Sequence, residues 1–200
     1  MTNVLIIGAS GVIGQRVTKK LLENTDDSLT LMARNTSSVS IDEKRGRIVQ
    51  GDVIDDKPLN AAMEGNSIVL VAADSNLAFS VQRIIDAMKI KSINRLIFIT
   101  SMGLYNEIPV TDGASGNLTQ NALLQPYRAA VEMIENSGLN YTILRPVQFD
   151  EGRDVSYEIS SKGETPKNKD VSYDSTVDYI VKLVNDDMLD SKENLAICRK

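Results

Sequence analysis

Short apolar runs alternate along the chain with longer stretches in which apolar residues recur every three or four positions. Residues 4–7, 29–32, 47–50, 68–73, 96–100, 141–144 and 195–198 read as buried strands. Between them lie helical patterns. Residues 12–22 repeat Ile13, Val17 and Leu21, and residues 77–90 place Val81, Ile84, Ile85 and Met88 on one face. Residues 125–136 are predicted helical with Ala129, Met133 and Ile134 facing inward, stopped by Ser137-Gly138. Residues 177–184 belong to a last helix. Strands buried on both faces and alternating with amphipathic helices predict an α/β domain: a doubly wound parallel sheet of Rossmann type. The polar segments 103–121 and 160–172 are the longest predicted loops, serving function or standing as surface insertions.

Composition narrows this picture. The chain has 200 residues, 42% of them hydrophobic, which fits a single domain with one core. There is no histidine, so His-based acid/base catalysis, Ser-His-Asp triads and most zinc sites are excluded, and no metal site is expected. Net charge is −5, with no basic run and no tryptophan, so a nucleic-acid partner is not expected. No apolar run approaches the length of a bilayer span. The single Cys198 excludes an internal disulfide. The first residues run into the first strand without a basic stretch, so a secretory signal is not expected. These features lead to an expected cytoplasmic location without membrane association. The pairs Asp26-Asp27, Asp55-Asp56 and Asp186-Asp187 read as solvated loop edges.

The chemistry begins where the first strand breaks into Gly8, Gly11 and Gly14. In the order strand, glycine turn, helix, Gly8 makes the tight turn. Gly11 lets backbone approach a phosphate, and Gly14 lets the helix pack close to the strand. Free amides around Ser10, Val12 and Ile13, with the positive end of the helix dipole, are placed to hold a pyrophosphate. An acidic residue about 20 positions further on would grip a ribose 2′-hydroxyl, as in NAD binders. Arg34 stands there, followed by Asn35 and hydroxyl residues. This points to a 2′-phosphate, hence NADP(H) in preference to NAD(H).

With these motifs the chain resembles the atypical short-chain dehydrogenase/reductases, specifically the small NmrA-like NAD(P)H-binding group, and is similar to biliverdin-IXβ/flavin reductases. The segments "GASGVIG", "ARN", "GDV", "LIFITSMG" and "SGLNYTILRP" carry the resemblance. It implies that Gly51, Asp52 and Val53 line the adenine pocket. Ala72 and Ala73, ending the fourth strand, border the cofactor. Ser101 stands at the active-site end of the fifth strand, and Arg145-Pro146 with Val147 leads toward the nicotinamide. Residues 147–200 form a small substrate-side segment. Asp74 is either a polar contact to the cofactor or a loop cap. Residues 171–177 resemble a weak form of the segment that opens the last helix.

One departure matters. Oxidoreductases of this kind use a Tyr-x-x-x-Lys pair, the Tyr as acid and the Lys to lower its pKa and hold the ribose. Aligned on Glu132, the Lys position is Arg128 and the Tyr position is Leu124. Tyr127 lies about 100° away on the helix and is followed at the lysine spacing by Val131. Ser101 and Tyr127 are the candidate catalytic residues, and Tyr127 also reads as a core-edge aromatic. Arg128 remains a candidate for holding a ribose hydroxyl or phosphate. Two functions fit: a reductase of a flavin- or quinone-like small molecule, or a non-catalytic NADP(H) sensor acting on a protein partner. Nucleotide-sugar epimerisation is disfavoured by the missing pair and by the short stretch after the sixth strand.

Overall fold

A computed structural model describes residues 2–73, 77–109 and 114–200. The chain runs β1 (Asn3–Ile7), α1 (Val12–Asn24), β2 (Ser28–Ala33), β3 (Gly46–Gln50), α2 (Asp56–Met63), β4 (Ile68–Val71), α3 (Leu77–Ile90) and β5 (Arg95–Ile99). It continues with α4 (Gln125–Glu135), β6 (Asn140–Pro146), β7 (Gln148–Asp150), β8 (Tyr157–Ser160), β9 (Asp170–Ser172), α5 (Tyr173–Asn185) and β10 (Glu193–Arg199).

Eight strands form one sheet in the order β3-β2-β1-β4-β5-β6-β10-β8. β1 pairs in parallel with β2 on one side and β4 on the other. The chain therefore reverses its direction of travel across the sheet between these strands, and their C-terminal ends open a crevice at the switch point. Alternate residues of β1 serve opposite layers. Val4 and Ile6 pack with Val17 and Leu21 of α1 and Ile180 and Leu183 of α5. Leu5 and Ile7 pack with Met63 of α2, Ile84 and Met88 of α3 and Val131 of α4. All of these side chains are buried, and full burial of each contributes roughly 1.5–3 kcal/mol. Burial on both faces is why the central strands are apolar without alternation.

The sheet is parallel as expected except at its edge, where β8 runs antiparallel to β10. The structure corrects three local expectations. Residues 160–172 are not one loop, because they end β8 and contain β9, which pairs with β7 in a separate parallel ribbon. In α4 the buried residues are Ala130, Val131 and Ile134, while Ala129 and Met133 are only partly buried. Asp27 is not solvated; it is 4% exposed and accepts a 2.7 Å hydrogen bond from the Thr2 amide. Helix α2, absent from the predicted elements, starts at the pair Asp55-Asp56, with Asp55 as its N-cap residue. Among the described residues, no helix is long and apolar enough to cross a membrane.

Candidate functional site: a crevice across the sheet edge

The turn after β1 is built by close backbone contact. Gly8 has φ +89°, and its amide donates to Met32 O of β2 at 3.0 Å. A Cβ on Gly8 would fall 2.5 Å from Ala72 O at the end of β4. A Cβ on Gly14 would fall 2.3 Å from Gly8 O, so only glycine lets α1 start this close to its strand. Gly11 is the N-cap residue of α1 and no side chain caps the helix. The first amides of α1 therefore have no intrahelical or side-chain cap acceptor at the crevice, and the positive end of the helix dipole lies with them.

The crevice has two ends that share Gly11, Ala72 and Ala73. One end, a cavity of about 260 Å³, is lined by Gly8, Ser10, Arg34, Asn35, Gly51, Asp52 and Val53, with Ser80, Val81 and Ile84 of α3 forming another wall. Arg34 is exposed, and its guanidinium has no hydrogen-bond or ion-pair partner among the described residues. Its carbonyl accepts a 3.2 Å bond from Gln50 Nε2, which fixes the backbone beneath it. Asn35 Oδ1 accepts from the Ser37 amide at 2.9 Å and Asp52 Oδ1 from the Ile54 amide at 3.3 Å, so both side chains shape their turns.

The other end, about 460 Å³, is lined by Val12, Ile13, Ser101, Tyr127, Pro146 and Val147, all singled out in the sequence. Thr100, Gln148, Phe149 and Tyr173 line it as well and were not. Ser101 Oγ donates to Met102 O at 3.1 Å. Thr100 Oγ1 is buried with no hydrogen-bond partner among the described residues. Phe149 and Tyr173 stack with centroids 4.3 Å apart and planes 6° apart, and Arg16 lies 4.7 Å from the Tyr173 centroid. Tyr173 opens α5, whose N-terminus is fixed by Ser172 Oγ accepting from the Ser175 amide at 2.9 Å. β7 and α5 are thus the elements that complete this end. β7, three residues long, is too short to show a period in the sequence.

Arg128 does not line the crevice. Its Nε donates to Glu132 Oε1 at 2.7 Å and its guanidinium lies 4.4 Å from the Tyr105 centroid. Asp74 lies outside the described residues. Leu124, at the Tyr position expected from alignment on Glu132, is 7% exposed and belongs to the core.

Behind Pro146 lies a polar cluster that the sequence did not reveal. Arg145 and Glu107 form a fully buried ion pair. Arg145 Nε donates to Asn194 Oδ1 at 2.8 Å, and Glu107 Oε2 accepts from the Tyr105 amide at 2.8 Å. Burial, reinforced by Glu135, pushes the Tyr105 phenol up to about 12, although Arg128 and Arg145 beside it act the other way. Tyr105 is therefore neutral at physiological pH, and it accepts a 2.6 Å hydrogen bond from Asn194 Nδ2.

A dinucleotide fits these residues. The glycine turn keeps side chains out of the phosphate path, the uncapped start of α1 offers donors, and Arg34 supplies an unpaired cation at the far end. A family model described as NAD(P)H-binding matches residues 8–187. The chain superposes on a Rossmann-fold NAD(P)-binding family protein from Shigella flexneri with TM-score 0.86 and 31% identity, covering 100% of this chain and 94% of that one. It superposes on a short-chain dehydrogenase/reductase from Veillonella parvula, solved in complex with NADP, with TM-score 0.89 and 25% identity over 99% and 94% of the chains. Among curated proteins it is 21% identical to the photosystem II assembly factor Ycf39 of Cyanophora paradoxa, over 88% of this chain and 56% of that protein. It is also 28% identical to the uncharacterized sugar epimerase YhfK of Bacillus subtilis, over 72% of this chain and 70% of that protein. The chain thus spans little more than half the length of Ycf39.

Proposed function

This chain belongs to the NAD(P)H-binding family, and from that premise we propose that it is an NADP(H)-dependent reductase of a flat, conjugated acceptor such as a flavin or quinone. The observation that carries this reading is the burial of Leu124, the residue that falls at the Tyr position when the chain is aligned on Glu132. When bound, the dinucleotide supplies a hydride from its nicotinamide ring. The Gly8–Gly14 turn and the start of α1 hold its pyrophosphate, and Arg34 takes the 2′-phosphate. Gly51, Asp52 and Val53 border the adenine. Ser101 and the Pro146-Val147 backbone position the nicotinamide.

The acceptor follows from what this end of the crevice lacks. Reducing a simple ketone or aldehyde leaves charge on one oxygen, and a placed acid contributes about 10²–10⁴-fold. Among the described residues, the nicotinamide-side lining offers the hydroxyls of Thr100, Ser101, Tyr127 and Tyr173, with no lysine to lower the pKa of either phenol and no carboxyl or histidine. A conjugated acceptor spreads the charge over its rings and takes its proton from water, so it needs orientation more than an acid. The same argument weighs against carrying over the epimerase name of YhfK. A turnover assay with NADPH and a panel of flavins, quinones and aldehydes tests the proposal. Oxidation of NADPH by flavins or quinones, with aldehydes far slower, supports it.

A phenol without a lysine beside it in the described lining also favours a second reading, a non-catalytic NADP(H) sensor that reports to a protein partner. Tight NADPH binding without turnover on any acceptor selects that reading.

A further inference from the structure

A second cavity opens beside the nicotinamide end of the crevice and shares Val147 and Gln148 with it. Its volume is about 160 Å³. The apolar walls come from three separate segments: Met102, Ile108 and Pro109 after β5, Val147 after β6, and Pro166 before β9. Gln148 and Asn168 add polar groups, and Lys169, an exposed residue, is the one charged residue in the lining. It is held next to Gln148 because the Gln148 amide donates to Lys169 O at 3.2 Å, in register with the β7–β9 ribbon.

The charge of Lys169 is available. It has no ion-pair partner among the described residues, and the nearby carboxylates are engaged elsewhere. Asp150, Asp154 and Asp170 all pair with Arg199, and Glu107 pairs with Arg145. An exposed cation without an ion-pair partner among the described residues therefore lines a cavity of mixed apolar and polar walls in a chain of net charge −5. A negatively charged ligand is repelled by most of this surface and attracted here. The cavity alone is smaller than ordinary ligand sites, which hold roughly 300–1,000 Å³. Its junction with the crevice makes it the extension of a larger one.

We propose that this cavity is the acceptor subsite, and that it selects an apolar ring system carrying an anionic tail, carboxylate or phosphate, with the tail on Lys169 and the rings across Val147 and Gln148. The proposal rests on the reductase reading for its name as an acceptor site, while the binding chemistry stands on the cavity itself.

FMN and riboflavin test it, because they share one ring system and differ in a phosphate. Their binding is followed by quenching of flavin fluorescence with the protein saturated in NADP⁺, where no turnover occurs. At low ionic strength FMN binds tighter than riboflavin by roughly two- to fivefold, as expected for a partly screened ion pair. Lys169→Met removes that preference, Lys169→Arg keeps it, and Ile108→Asp weakens both flavins. Equal binding of the two flavins by the unmutated protein, or an FMN preference that survives Lys169→Met, overturns the proposal.

A separate arm uses anilinonaphthalene sulfonate, an apolar aromatic anion unrelated to hydride acceptance. If no planar acceptor oxidises NADPH and neither flavin binds, the reductase reading fails. Loss of the sulfonate probe in both Lys169→Met and Ile108→Asp then still supports the subsite. Binding of that probe indifferent to both changes overturns the subsite as well.

Discussion

Arg145 and Glu107 meet with both side chains wholly excluded from solvent, one residue behind the Pro146 that lines the crevice. Arg145 also reaches Asn194 on β10 and lies 4.9 Å from the Tyr105 centroid. Glu107 holds the Tyr105 amide. The pair thus ties the segment after β5 to β6 and β10, next to the Pro146 that lines the crevice. Burial draws the Arg145 pKa below its usual range, and Glu107 pulls it back.

The first prediction concerns this pair. Removing one partner leaves an uncompensated buried charge, which costs about 3–5 kcal/mol, whereas replacing both with apolar residues costs much less. Glu107→Ala should lower stability by about that amount in urea denaturation. The double change Glu107→Leu with Arg145→Met should recover most of the loss. A double variant less stable than either single one would show that the pair contributes net stability of its own.

The glycines divide by role. A Cβ on Gly11 meets only Gly8 O at 3.3 Å and Ala72 O at 3.8 Å, and the residue has an extended conformation open to any side chain. Gly11→Val should leave the melting temperature nearly unchanged while weakening dinucleotide binding severely in calorimetry. Gly14→Ala should instead lose stability, because its Cβ has no room against Gly8 O. Unchanged affinity in Gly11→Val would remove the phosphate path from this turn.

Arg34 sets the expected cofactor choice. A charge-assisted hydrogen bond to a 2′-phosphate contributes about 1.5–3 kcal/mol, roughly ten- to a hundredfold in affinity. Arg34→Ala should erase most of the preference for NADPH and leave NADH binding nearly intact. Equal affinity of the unmutated protein for both cofactors would contradict this role.

The sequence carried most of the frame, for physical reasons. Central strands such as β1 and β4 are buried on both faces, so their composition alone marks them. The glycine spacing marks the turn because Gly8 and Gly14 there leave no room for a Cβ against neighbouring backbone. Helix α4 shows how adjacent alanines blur an inward face. The real face is Tyr127, Ala130, Val131 and Ile134, and alanines at 129 and 130 leave the phase ambiguous. Strands β7, β8 and β9 are three or four residues long and only partly buried for the most part, and their pairing is non-local. Phe149 and Tyr173 meet only because that ribbon folds. Glu107 and Arg145 are 38 residues apart, and no local pattern announces a pair whose partner is fixed by tertiary packing.

The central claim is hydride transfer to a conjugated acceptor without a side-chain acid, and Tyr127 is where it is most exposed to test. Tyr127 lines the nicotinamide end and packs against the core layer of α3 and α4. Stopped-flow oxidation of bound NADPH, with a flavin and with a simple aldehyde, should be compared in the unmutated protein and in Tyr127→Phe. The account predicts that flavin is the better acceptor and that its rate in Tyr127→Phe stays within a few-fold of normal. Abolished turnover in Tyr127→Phe, or faster reaction with the aldehyde, would contradict it and make Tyr127 the acid.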